Sequence, residues 1–133
     1  MALGEILGEV NGKVTAMRVL PDGKMELSQQ GSGKLLGSEV REVVTFQTAI
    51  RPNGTAYGEG HQIIMSSDGS AVWKGYGVGK PTGYGGGWKY AYAGAFQSIS
   101  SQKWGRLLDV YTVGEYDLDE NGNYHWKAWE WKY

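Results

Sequence analysis

Residues 55–65, TAYGEGHQIIM, alternate without a break. Tyr57, Glu59, His61, Ile63 and Met65 fall on one side of an extended chain, and Ala56, Gly58, Gly60, Gln62 and Ile64 on the other. The same period of two runs through most of the sequence, in segments rich in Val, Ile, Thr, Tyr and Trp. Turn signals separate these segments: Pro21-Asp22-Gly23, Leu36-Gly37-Ser38, Pro52-Asn53-Gly54, Ser67-Asp68-Gly69 and Glu120-Asn121-Gly122. Strands are therefore predicted at 5–20, 25–36, 39–50, 55–66, 71–80, 87–97, 107–118 and 123–132, the first with a possible break at Asn11-Gly12. One helical turn near Ser100 to Leu107 interrupts them. Consecutive hairpins give an up-and-down antiparallel sheet, and about eight strands close into a barrel without free edges. In-strand glycines such as Gly58, Gly60, Gly75 and Gly77 permit the coiling a small barrel needs. The expected fold is an all-β, eight-stranded antiparallel barrel forming a single domain over residues 1–133, with a two-sheet sandwich as the alternative.

Two-residue hairpin loops fix cross-strand partners, so the inner face can be carried from strand to strand. With Gly37-Ser38 as a loop, Leu27, Gln29 and Leu35 share a face with Val40, Glu42, Val44, Phe46 and Thr48. Asn53-Gly54 and Asp68-Gly69, read the same way, carry that face to Glu59 and His61 and on to Tyr76 and Val78. With Asn121-Gly122 as the last loop, Thr112, Gly114, Tyr116 and Leu118 group with His125, Lys127, Trp129 and Trp131 on the inside. The segment 87–97 is open: either its alanines face inward and leave a cavity, or Trp88, Tyr90, Tyr92 and Phe96 fill the barrel. A one-residue bulge at any turn would reverse every face downstream of it.

Composition narrows the function. There is no cysteine, hence no disulfide framework or thiol nucleophile, and the net charge is −1 with both signs interspersed. That excludes the basic footprint of a general nucleic-acid or membrane-surface binder. No basic segment followed by an apolar run opens the chain and no stretch approaches the roughly 18 apolar residues of a spanning helix, so the expected location is cytoplasmic. The 6 Trp and 9 Tyr can bury enough surface to order a chain with 22 Gly. They are too many for one small interior, and an outer patch of Trp88/Tyr90/Tyr92 or Trp126/Tyr111 is expected to make the protein a homo-oligomer, dimer or trimer.

An inward carboxyl and imidazole require partners or a shifted protonation state. Glu59 and His61 are accordingly candidate catalytic residues, with Tyr76 orienting or donating a hydrogen bond, and the competing reading is a satisfied polar cluster. Phe46, Thr48, Val78, Arg18 and Trp129 are the candidate ligand contacts. Two histidines do not assemble a metal site with useful spacing, and no cofactor is expected. GYGVGKPTGYGGG (residues 75–87) is no phosphate loop, because Pro81 stands where Ser or Thr is needed; it reads as bends and a rim loop.

The stretches GEGHQIIMSSDGSAVWKGYGVG, GGGWKYAYAGAF, KWGRLLDV and EYDLDENGNYHWKAWEWK resemble a family of small uncharacterised prokaryotic proteins. Trp-Lys-Gly-x-Gly (Trp73 to Gly77) and Trp-Glu-Trp-Lys (Trp129 to Lys132) carry the resemblance, which implies no activity. In pattern and size the chain is also similar to allene oxide cyclase and dirigent barrels, calycin-like folds that bind apolar small molecules and often trimerise. The sequence thus favours a barrel binding a small, largely apolar ligand. The alternatives are a cyclase or isomerase using Glu59 and His61, and a structural or interaction module with a filled core.

Overall fold

The computed structural model describes residues 3–83 and 86–133, and its strands close into one antiparallel barrel in sequential order. The strands are β1 (Leu3–Val19), β2 (Met25–Leu35), β3 (Ser38–Ile50), β4 (Ala56–Ser66), β5 (Gly69–Pro81), β6 (Trp88–Ile99), β7 (Tyr111–Leu118) and β8 (Asn123–Trp131). β8 returns to pair with β1, Val10 opposite Trp126, so no edge is left. β1 runs unbroken through Asn11-Gly12; its irregularity against β2 lies instead between Val14 and Ala16. Residues 84–85, part of the expected rim loop, lie outside the described residues.

Between β6 and β7 the chain forms a 3-10 helix, Gln102–Asp109, where the sequence predicted a single turn. Trp104 and Leu107 from this helix are fully buried and join the core with Leu7, Leu35, Val40 and Ile64. They close the barrel end that also carries the β2–β3 and β4–β5 turns. Because Leu107 serves as that plug, β7 begins at Tyr111 and not at 107.

Turn length decides which side of each strand is inside. Leu36-Gly37 and Ser67-Asp68, not the expected Gly37-Ser38 and Asp68-Gly69, are the two-residue loops, with Leu35 opposite Ser38 and Ser66 opposite Gly69; the pairing moves by two residues and each face is kept. The other three short turns are one residue longer. Arg51 N–H donates to Thr55 O at 2.7 Å, and Gly54 N–H donates back to Arg51 O at 2.9 Å. Leu20–Lys24 with Gly23, and Asp119–Asn123 with Gly122, repeat this arrangement. Gly23, Gly54 and Gly122 have φ of 85°, 87° and 82°, the left-handed conformation of a three-residue loop closed by a G1 bulge.

The consequence is a correction to the expected faces. The inner set on β2 and β3 is as read from the sequence, with Leu27, Gln29, Leu35, Val40, Glu42, Val44 and Thr48 buried. Across the Pro52-Asn53-Gly54 turn, however, Phe46 pairs with Gly60 and Thr48 with Gly58, not with His61 and Glu59. Ala56, Gly58, Gly60, Gln62 and Ile64 therefore face inward. Glu59, His61 and Ile63 face out, and with them Tyr76 and Val78 on β5. The Glu120-Asn121-Gly122 turn does the same to β8: Tyr116 pairs with Trp126, so Tyr124, Trp126 and Ala128 are inside and Trp129 is outside.

β6 turns its rings inward. Tyr90 and Phe96 are buried, and Tyr92 packs edge-on against Trp73 at 5.5 Å. Trp88, Tyr90, Tyr92 and Trp126 consequently form no outer patch. Glycines make this filling possible: a Cβ on Gly75 or Gly94 would strike the Trp73 ring, one on Gly79 the Tyr90 ring, and one on Gly114 the Tyr92 ring. Each ring occupies the place a side chain would take on its own or a neighbouring strand. The Gly54 conformation that sets the β4 face costs an L-residue about 1–2 kcal/mol. Gly54→Ala should lower unfolding free energy by about 1 kcal/mol in urea titrations. An unchanged midpoint would mean the turn can re-form without the left-handed residue.

Candidate functional site

The inner faces of β2, β3, β4 and β8 bring together polar groups that are distant in sequence. Glu42, 1% exposed, stands on β3 between Val40 and Val44. Gln62 Nε2 on β4 donates to its Oε1 at 2.5 Å, and Tyr124 OH on β8 donates to Oε2 at 2.6 Å. Trp126 Nε1 lies 2.9 Å from both oxygens. No cation offsets this carboxylate among the described residues. Burial pushes its pKa above the usual carboxylate value, although Tyr124, Trp126 and Gln62 oppose the shift. Beside it, Tyr116 OH donates to Gln29 Oε1 at 2.6 Å, and the Tyr116 and Tyr124 rings stack at 5.6 Å. Burial pushes the phenols of Tyr92, Tyr116 and Tyr124 far above their usual range, so all three stay neutral.

Next to this polar wall is a cavity of about 110 Å³. One side is aromatic, with Phe46, Trp73, Tyr90, Tyr92 and Tyr116. Another is bare backbone at Gly58, Gly60, Gly75 and Gly77, adjacent inner positions of β4 and β5. Gln29 and Gln62 supply its amide groups. Thr112 also borders it, but its hydroxyl already accepts from Trp73 Nε1 at 2.8 Å and donates to Gly94 O at 2.9 Å.

Of the residues singled out from the sequence, Phe46 lines the cavity. Thr48 is inside but bound to the Tyr90 hydroxyl at 3.1 Å, toward the rim with the longer turns. Arg18 is on the outer face, paired with Glu26 at 2.9 Å, and Trp129 lies outside under Lys127. Val78 is outside, 42% exposed. Glu59, His61 and Tyr76 do come together, since Glu59 opposes Tyr76 across the strands and His61 Nε2 is 4.0 Å from Glu59. Glu59 holds the Tyr76 phenol above its usual pKa. The cluster is on the barrel's outer surface, however, because the Gly54 bulge reversed β4; Glu59 and Tyr76 reach the cavity wall only where their strands run between glycines. The inward Glu42 and Gln29 could be found from the alternation of β2 and β3. Gln62, Tyr124 and Trp126 could not, because each lies beyond a three-residue turn.

No protein-family model matches the chain, and no curated protein sequence matches it significantly. Solved structures do. A conserved protein of unknown function from Rhodopseudomonas palustris superposes with a TM-score of 0.78 at 11% identity, over 98% of this chain and 97% of that one. A protein of unknown function from Clostridium acetobutylicum gives 0.77 at 11%, over 95% and 96%. A beta-barrel like protein from Acinetobacter baumannii gives 0.78 at 12%, over 98% and 95%. At such identities the likeness establishes the barrel fold and nothing of the chemistry inside it.

Glu42 has a measurable signature. Its folded pKa is raised, so the folded state holds this proton more tightly than the unfolded chain. The associated stability is full below the unfolded carboxylate pKa, near 4.5, and is lost as pH rises through the folded value. Glu42→Gln should remove that loss, so the parent falls relative to the variant across this window in pH-dependent urea melts. Glu42→Leu instead strands the donors of Gln62, Tyr124 and Trp126, and should cost at least about 3 kcal/mol. Parallel pH profiles for parent and Glu42→Gln would show that the carboxyl titrates normally.

Proposed function

We propose that the barrel binds a small, largely apolar ligand in its interior cavity. The observation that carries this reading is the space at Gly60. A Cβ there would meet nothing closer than Phe46 Cβ at 3.6 Å and Trp73 Cζ3 at 3.9 Å. Alanine would fit and would stabilise a strand interior by roughly 0.5–1 kcal/mol relative to glycine. The chain leaves this room unfilled in an interior otherwise packed with rings, as a binding site requires and a filled structural core does not. The cyclase or isomerase reading loses its proposed arrangement, because Glu59 and His61 are outside. Glu42 does not replace them, since its oxygens are occupied by donors and Gln62 and Trp126 border the cavity in its stead.

Self-association is a separate proposal. Tyr57, Ile63, Tyr76 and Val78 on the outer face of β4 and β5 are 42–49% exposed, and Tyr57 stacks on Tyr76 at 6.3 Å. This face takes the place of the Trp88/Tyr90/Tyr92 surface expected to mediate a dimer or trimer. Sedimentation equilibrium should show an oligomer that Tyr76→Lys weakens; a monomer at high concentration would remove the proposal.

The binding reading is tested by filling the space. Toluene and other compact rings should raise the melting temperature of the parent, because a ligand of the native state stabilises it by mass action. Gly60→Ala should raise the ligand-free melting temperature and weaken that response, and Gly60→Leu should abolish it. A parent that responds to no compact ring, while both variants melt like the parent, would leave the cavity without a role.

A further inference from the structure

Two buried glutamines face the cavity with half of each amide uncommitted. Gln29 is 2% exposed, and its Oε1 accepts from the Tyr116 hydroxyl at 2.6 Å, which turns its Nε2 away. That N–H₂ group meets no partner among the described residues. Gln62 is 9% exposed, and its Nε2 donates to Glu42 Oε1, beside the donors Tyr124 OH and Trp126 Nε1. Its Oε1 likewise meets no donor among the described residues. The sealed polar atoms without partners are elsewhere: Ser101 Oγ and Trp104 Nε1, at the helix-capped end. The free halves of Gln29 and Gln62 are not sealed, and both residues line the cavity. They sit at one level, since Val44 of β3 is in register with Gln29 on one side and Gln62 on the other.

Resting on the cavity-binding reading above, we propose that the preferred ligand is a small neutral ring with an amide-like edge, its acceptor facing Gln29 Nε2 and its donor facing Gln62 Oε1. Lactams and related cyclic amides are the simplest members of this class. Water can satisfy both glutamines, so a purely apolar ring must strip two hydrogen bonds on entering, whereas a cyclic amide replaces both. The size is set by the volume of about 110 Å³; an apolar cavity of roughly 150 Å³ takes benzene, so the ligand is limited to a single compact ring. Faces of Phe46, Trp73 and Tyr92 border the space for the remainder of the ring. Neutrality follows from the wall. Among the described residues that line the cavity there is no Lys, Arg or His to meet an anion. An aromatic box can also attract a cation, but here the Glu42 oxygens are taken by Gln62, Tyr124 and Trp126, and Gln29 presents an N–H₂ group.

The test measures affinities by NMR titration of the full chain with 2-pyrrolidinone, 2-piperidone, cyclopentanone, toluene and tetramethylammonium at neutral pH. 2-Pyrrolidinone should bind at least about tenfold more tightly than cyclopentanone, which has the ring and the acceptor but no donor. Gln62→Met and Gln29→Met should each bring the two within about threefold, with toluene binding retained as proof of an intact barrel. If either variant fails to fold, the comparison on the parent still decides. Equal affinities for 2-pyrrolidinone and cyclopentanone, or a preference that survives both substitutions, overturn the assignment while leaving the cavity a binding site. Tighter binding of tetramethylammonium overturns it in favour of a cation. If no compound binds, the cavity-binding reading falls with it.

Discussion

A buried carboxyl with no cation beside it among the described residues has to be held by neutral donors, and Glu42 organises the barrel interior on those terms. Its donors come from β4 on one side and, across the β8–β1 closure, from β8 on the other. To meet it, Gln62 must point Nε2 one way and Oε1 the other. Tyr124, fixed by the same carboxylate, stacks on Tyr116, and Tyr116 fixes Gln29. The orientation of both glutamine amides that line the cavity is thus linked to one buried carboxyl. Removing that carboxyl without replacing its shape would free the whole chain of contacts, because each member is held by the next.

Eight strands, their order and the inner face of β2 and β3 are legible in the period-two pattern and the turn signals. What misled the reading of β4 and β8 was a single residue in each turn. Asn-Gly between strands suggests a two-residue type I′ turn, yet Pro52 and Pro21 carry contrary information. Proline's fixed φ suits the first central position of a type I turn, which leaves the glycine to close a three-residue loop in the left-handed region. Gly54 and Gly23, at φ of 87° and 85°, do so. Gly122 behaves in the same way without a preceding proline, so there the sequence offers no equivalent hint.

Polarity was also a poor guide on β4, for a reason of volume. Tyr57, Ile63 and Met65 are more apolar than Gly58 and Gly60, and the usual rule sends them inside. Inside, however, Phe46 from β3 and Trp73 and Tyr92 from β5 and β6 crowd the space beside β4 down to a cavity of about 110 Å³, too small for the side chains of Tyr57, Ile63 and Met65 together. A narrow barrel filled by rings from some strands needs small residues on the others. The larger side chains of β4 are displaced outward, where Tyr57 stacks on Tyr76. Glu59 and His61 go with them, and an apparent interior acid–base pair becomes part of a surface.

Inner glycines then divide into two kinds. Gly75, Gly79, Gly94 and Gly114 are each covered by an aromatic ring, so their missing side chains are already replaced and any Cβ would collide. Gly60 has only ordinary contacts at 3.6 and 3.9 Å in its place. It faces the same space as the free half of Gln62, one inner position along β4. Dense packing elsewhere makes this local deficit meaningful, because a chain able to seat Trp73 over two glycines could have covered a third. The unfilled volume and the uncommitted amides therefore coincide on one stretch of wall, the arrangement on which the proposed binding of a small ring rests.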